Sequence, residues 1–156
     1  MSDFVNQQNA RPGGYDKVIA NIASQNVCPF CPEHLAEFHK LPMTHRKFWI
    51  VTDNQFPYTP SKYHKLIIHA EHIDHISKIV PAAWVELYEI VQELVGENTI
   101  AGGTFLMRFG ETRFTGASVT HLHANLVQSN QDDASYDVAI GVRTRVGLMN
   151  YSRFKT

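Results

Sequence analysis

The sequence predicts an α+β protein: a mainly antiparallel sheet of about five strands, one long helix and a short N-terminal helix. Three observations carry that reading. Apolar residues recur at helical spacing over Tyr15–Gln25 and again from Pro81 to about Glu97. Short runs of β-branched and aromatic residues, bounded by turn chemistry, lie within 44–53, 64–69, 104–109, 119–127 and 137–144. Finally, the first two of these runs are joined by Asn54-Gln55-Phe56-Pro57-Tyr58-Thr59-Pro60, a Pro-containing loop that folds them into an antiparallel hairpin.

In chain order, residues 1–14 read as a flexible N-terminal arm, 15–145 as a single domain and 146–156 as a C-terminal tail. The first helix places Val18, Ile19, Ile22 and Ala23 on one face. Asp74 to Lys78 suits a helical turn, and Pro81 suits the first position of the long helix. There, Val85, Tyr88, Val91 and Val95 belong to an apolar stripe. Gly110 to Gly116 reads as a loop with Arg113 near its tip, and the basic stretch from Arg143 to Lys155 as solvated surface.

Bulk properties exclude several functions. With 156 residues, the chain can bury a real core. Its net charge of −1 argues against a general nucleic-acid binder. No apolar run approaches the roughly 20 residues of a membrane helix. Residues 1–12 lack an apolar signal core. A cytoplasmic protein is expected, and two cysteines suit a reducing compartment.

The chemistry concentrates in Gly116-Ala-Ser-Val-Thr-His-Leu-His-Ala-Asn-Leu-Val-Gln128. Polar and apolar residues alternate, so a strand here would point His121, His123 and Asn125 to one face and Leu122, Ala124 and Leu126 to the other. Two imidazoles and a carboxamide would then be held on a rigid element. Upstream, Cys28-Pro-Phe-Cys31 is either half of a tetrahedral metal site or a redox dithiol. A thioredoxin-like dithiol needs a hydrophobic strand leading into it, and Ala-Ser-Gln-Asn-Val is not one. A metal needs two further ligands. Proximity offers His34 or His39, and spacing alone leaves the choice open.

These pieces, in this order, resemble the histidine-triad (HIT) superfamily. The resemblance runs from Val27 to Gln128. It rests on the Cys-x-x-Cys, the Asn54-Gln-Phe-Pro57-Tyr-Thr-Pro60 loop, His64-Lys-Leu-Ile-Ile-His-Ala-Glu-His72, and Gly116-Ala-Ser118-Val-Thr-His121-Leu-His123. It implies a HIT-like fold and a structural zinc held by Cys28, Cys31, His72 and His121, with no magnesium and no organic cofactor. His123 takes the position of the family's nucleophile, which forms a nucleotidyl-histidine at an α-phosphate. Ser118 takes the phosphate-contacting position, His64 that of a fourth active-site histidine, and Asn54 that of the ribose-holding residue. Phe30 is placed to enclose the base, and Arg108 and Arg113 lie on the approach to the phosphates.

The resemblance breaks at the third triad position, where Asn125 stands in place of His, and at Gln128-Ser129, where Pro-Arg is usual. Asn donates a hydrogen bond but supplies no titrating proton. The implied function is hydrolysis or nucleotidyl transfer on a purine nucleotide or dinucleotide, with the Asn-Gln-Phe-Pro-Tyr loop leaning toward dinucleoside polyphosphates. Asn125 also motivates a binding module with little turnover, and the Cys pair a thiol redox protein. Family members commonly form two-fold dimers through the long helix, a role compatible with Trp84, Val85, Tyr88 and Val91.

Overall fold

The computed structural model describes residues 4–138, 141–144, 146 and 147. Its centre is a five-stranded antiparallel sheet in the order β1-β2-β3-β5-β4. The strands are β1 (Met43–His45), β2 (Trp49–Asp53), β3 (Ser61–His69), β4 (Thr104–Arg108) and β5 (His123–Ser129). Four helices accompany them: α1 (Tyr15–Gln25), α2 (Pro32–Phe38), α3 (Pro81–Glu97) and the single turn α4 (Thr112–Thr115).

The period of two along each strand sorts its residues onto two covered faces. On one face Trp49, Ile67, Ala124 and Leu126 meet Ala83, Leu87, Ile90 and Leu94 of α3. Pro81 opens α3, where its missing N–H costs nothing. Three hydrogen bonds pin this helix to the first hairpin. The Trp49 indole donates to the Ala83 carbonyl at 2.8 Å, and Glu86 accepts the Lys47 and Phe48 amides. On the other face Ile50, Leu66 and Ile68 pack against Leu35 of α2. A third cluster joins Ile19 and Ile22 of α1 to Val5 and Val119. Gly103, just before β4, lies so close to β5 that a Cβ would meet the Val127 carbonyl oxygen at 2.8 Å.

Several expectations change. The predicted strand at 44–53 is a tight hairpin of two strands, β1 and β2, because the Arg46 amide turns back onto the Trp49 carbonyl. Helix α2, which the sequence reading missed, starts at the Pro32 that follows the Cys pair. The helical turn near Asp74 is a 3-10 turn over Ile76–Lys78, and the Gly110–Gly116 loop contains α4. The motif strand begins at His123 and not at Val119, since residues 118–122 spend their backbone groups elsewhere. Ser118 and Thr120 bond to Asn6 and Phe4, and Leu122 bonds to His69 and Ile73. His121 therefore does not share a strand face with His123 and Asn125.

At the termini, the segment read as a flexible arm is docked. Val5 bridges Val119, and the Asn9 side chain, 4% exposed, donates to the Ala117 carbonyl at 2.8 Å. Of the strand expected at 137–144, residues 137, 138 and 141–144 are not strand, and 139 and 140 lie outside the described residues. The tail, 146–156, lies outside them except for 146 and 147. No described helix is long and apolar enough to cross a membrane.

Candidate functional site

Two sites flank the start of β5. The first is a four-residue cluster. Cys28 and Cys31 sit between α1 and α2, His72 follows β3, and His121 precedes β5. Their ligand atoms all lie within 4.8 Å of one another. Cys28 Sγ to His121 Nδ1 is 3.3 Å, Cys31 Sγ to His72 Nδ1 is 3.3 Å, and Cys31 Sγ to His121 Nδ1 is 3.8 Å. A tetrahedral ion with bonds of about 2.0–2.3 Å would space its ligands about 3.3–3.8 Å apart. His121 Nε2 lies 2.6 Å from the His69 carbonyl, to which it donates, so the ring's lone pair is on Nδ1 and faces the cysteines. These four residues can hold a metal ion. His34 and His39, which proximity had left open, are not among them.

The same cluster argues against a redox dithiol. Burial pushes the Cys28 thiol up, and burial together with the Cys28 neighbour pushes Cys31 up to about 12. A reactive dithiol needs the opposite shift.

The second site is a cavity between the sheet and the N-terminal helices. Its lining includes His123, Asn125, Ser118, Asn54, Phe30 and Arg108, six of the residues predicted for the nucleotide. His123 Nδ1 lies 2.7 Å from the His121 carbonyl and donates to it, which leaves Nε2 as the unprotonated nitrogen. Burial, with Arg108 and His64 adding to it, lowers the His123 pKa to about 4, so the ring is neutral at pH 7. The edge of Phe30 meets this ring at 5.1 Å between centroids.

Asn125 is 2% exposed and held in one orientation. The Tyr58 amide donates to His64 Nδ1 at 2.9 Å, so the proton of this neutral ring is on Nε2, which donates to Asn125 Oδ1 at 2.8 Å. The Asn125 NH₂ is then the group left for a ligand. Asn54 Nδ2 lies 3.1 Å from the same His64 nitrogen, but two donors cannot bond. It donates instead to Asn125 Oδ1 at 3.5 Å, while Asn54 Oδ1 caps the Phe56 amide. His64 itself does not line the cavity; it stands behind Asn125. The structure therefore gives His64 no place on the lining and a hydrogen bond to Asn125 instead.

Ser118 Oγ shares a short hydrogen bond with the Tyr15 hydroxyl. Arg108 lies opposite His123 in the β4–β5 register and donates to Tyr58 Oη at 3.0 Å and to Thr144 Oγ1. Arg113 is a correction. It lies on α4, exposed, paired with Glu111 at 2.6 Å, and is not among the lining residues.

Sequence reasoning missed Arg11, Tyr15, Tyr58, His39 and Arg143, all of which line the cavity. Arg11 donates to the Phe56 and Pro57 carbonyls and stacks 4.8 Å from the Tyr58 ring centroid, so the arm closes one wall. The signal was the Arg11–Tyr15 pair about a Pro-Gly-Gly turn, where the reading saw only the end of a flexible arm and the start of a helix. Among the described residues the lining has three arginines and no carboxylate. Its formal charges are all positive.

No protein-family model matches the chain, and no curated protein matches it. Solved structures do. The chain is similar to a histidine triad nucleotide-binding protein from Candida albicans at a TM-score of 0.56 and 15% identity, over 82% of this chain and 90% of that one. It is also similar to a hypothetical histidine triad nucleotide-binding protein from Sulfolobus tokodaii, at 0.54 and 16%, over 82% and 85%. The protein has the histidine-triad fold, as the α+β reading and the ordered motifs of the sequence anticipated.

Proposed function

We propose that this protein is a nucleotide hydrolase or nucleotidyltransferase that acts at an α-phosphate through a nucleotidyl-histidine. The observation that carries the reading is the His123 tautomer: Nδ1–H is spent on the His121 carbonyl, and Nε2 keeps its lone pair in a cavity rich in arginine. Nε2 attacks the α-phosphorus, a P–N bond forms, and the bond to the leaving group breaks with its electron pair on that group. Water or inorganic phosphate then attacks the same phosphorus, the P–N bond breaks, and His123 is restored. Ser118 and the Asn125 NH₂ donate to the phosphate, Arg108 offsets its charge, Asn54 stands by the ribose, and Phe30 encloses the base.

Asn125 brings no titrating proton. Leaving groups that depart as stable anions, such as a nucleoside polyphosphate, therefore suit the site better than an amine that must be protonated. This favours a dinucleoside polyphosphate or related anhydride over a phosphoramidate.

Cys28, Cys31, His72 and His121 fit a structural zinc, with two thiolates, two imidazoles and no open position. When bound, the ion ties the N-terminal segment to β5. The His69 carbonyl holds the His121 ring in the ligand orientation, and the His121 carbonyl holds His123. A homodimer through α3 is part of the same reading, supported by the exposure of Trp84, Val85 and Tyr88. So is a cytoplasmic setting, with no nucleic-acid or membrane partner.

The test is a turnover panel of diadenosine polyphosphates, ADP-type conjugates and AMP-phosphoramidate, with and without inorganic phosphate. The expected result is turnover that needs His123, with phosphate dependence separating phosphorolysis from hydrolysis. Asn125 favours one second reading, a nucleotide-binding module. Tight nucleotide binding without His123-dependent product would select it.

A further inference from the structure

One buried histidine of the cavity has no part in that chemistry. His39 is 6% exposed, follows the last residue of α2, and lines the cavity. Its hydrogen bonds define its tautomer. Thr52 Oγ1 lies 2.8 Å from the Pro42 carbonyl and 3.3 Å from the Asp53 carbonyl, and both can only accept. The single hydroxyl proton is therefore spent on a carbonyl. His39 Nε2, 2.8 Å from the same oxygen, must bring its own proton. Burial lowers the His39 pKa, so the ring is neutral and Nδ1 carries a lone pair. Among the described residues that lone pair has no hydrogen-bond partner, and it belongs to a side chain at the cavity wall.

The position matters as much as the proton. Thr52 on β2 faces Leu66 on β3, which faces Asn125 on β5, so these three side chains share one face of the sheet. Two strand spacings separate Thr52 from Asn125, about 10 Å. The lining of the same cavity includes the apolar Val18 and Ile22 of α1, Phe30, Phe38 and Leu66, the last of these standing between Thr52 and Asn125 in the sheet register. An apolar slot with one acceptor at its wall suits an aromatic ring that carries a donor on its edge.

We propose that His39 is the specificity-determining residue of this cavity, its Nδ1 accepting a hydrogen bond from the exocyclic amine of an adenine held in the apolar slot. The inference rests on the nucleotide reading above and names its base. A 6-oxo purine turns a carbonyl toward the same lone pair, and the two acceptors repel. A pyrimidine, with one ring, leaves the span from Asn125 to His39 unfilled.

The experiment is equilibrium binding of AMP, purine riboside 5′-monophosphate, IMP and CMP to the full chain and to His39→Leu. Purine riboside monophosphate differs from AMP only by loss of the amine. Wild type is expected to bind AMP about tenfold tighter than the other three, the effect of one neutral hydrogen bond. In His39→Leu, AMP is expected to fall to the affinity of the purine riboside, which itself stays unchanged. Equal binding of AMP and purine riboside by wild type overturns the assignment, a result that needs no variant to fold. Preference for IMP, or CMP binding equal to AMP, overturns it too. In each of these cases His123-dependent turnover leaves the nucleotide chemistry standing. Failure of wild type to bind any of the four overturns both.

Discussion

His121 and His123 stand on either side of one leucine, and the fold treats them as opposites. Each gives one N–H to a backbone carbonyl, but through different nitrogens. His121 uses Nε2 on the His69 carbonyl, so its lone pair is on Nδ1, beside two thiols. His123 uses Nδ1 on the His121 carbonyl, so its lone pair is on Nε2, in the arginine-rich cavity. Burial lowers both pKa values, to about 3 and about 4, so neither ring carries charge at neutral pH. Residue type and ionisation therefore do not distinguish these two rings. The choice of which nitrogen meets the carbonyl does, and it decides what each lone pair faces.

The largest expected break in this comparison is His123→Ala. Turnover on the best anhydride substrate should fall at least about a thousandfold, as for loss of a nucleophile, with thermal unfolding nearly unchanged. A variant that keeps wild-type rates would remove His123 from the mechanism. His121→Ala should do the reverse at first: it is expected to destabilise the chain by roughly 3 kcal/mol or more, through loss of a proposed metal ligand, with activity falling as folding does. Chelation of the wild type should lower its melting temperature, whereas Cys28→Ser should start low and not respond. A chelator that leaves wild type untouched, on a protein that contains no metal by elemental analysis, would break the structural half.

A pH series on stability sharpens the role of His64. Burial lowers its pKa from 6.5 to about 4 in the folded chain, against the bond to Asn125. Above pH 6.5 it is neutral folded or unfolded and costs nothing. As pH falls from 6.5 toward 4, the unfolded chain takes up the proton first and folding loses stability, by roughly 3 kcal/mol over the window. His64→Asn should be shallower than wild type by about that amount between those pH values. Parallel curves would mean that this ring is not held neutral.

Smaller effects follow. Asn125→His restores a titrating donor and should raise AMP-phosphoramidate turnover relative to anhydride turnover, by roughly a hundredfold at the low end of general-acid catalysis. An unchanged ratio would show that leaving-group protonation does not limit the rate. Arg113→Ala should change neither turnover nor stability, the latter by less than about 0.5 kcal/mol, because its partner Glu111 is as exposed as it is. A drop in turnover would return it to the site.

The site was legible to the extent that its chemistry is local. His123, Asn125 and Ser118 lie within eight residues of one another, and alternation placed His123 and Asn125 together because both lie on β5. The same rule failed for His121, where competing backbone partners end the strand. Asn54, Arg108 and His64 were placed by the resemblance alone, which does not say that Asn125 stands between His64 and the cavity. Arg113 was misplaced because a loop residue has no period at all.

By itself the sequence determined the elements that depend on short-range chemistry. These are α1 and α3 through helical spacing, β2 to β5 through branched and aromatic runs, and the hairpin loop through its prolines. It also supplied the donor set of the metal cluster, whose four residues became a set only through resemblance. Tertiary structure alone decided the rest. It docked residues 4–10 against 117–120, brought Arg11, Tyr15 and His39 to the wall of one cavity, and fixed four histidine tautomers through two carbonyls, an amide and a hydroxyl. The reason is physical. A side chain's identity fixes what it can donate or accept, but its partner is chosen by packing among residues far apart in the chain, and no local pattern encodes that choice.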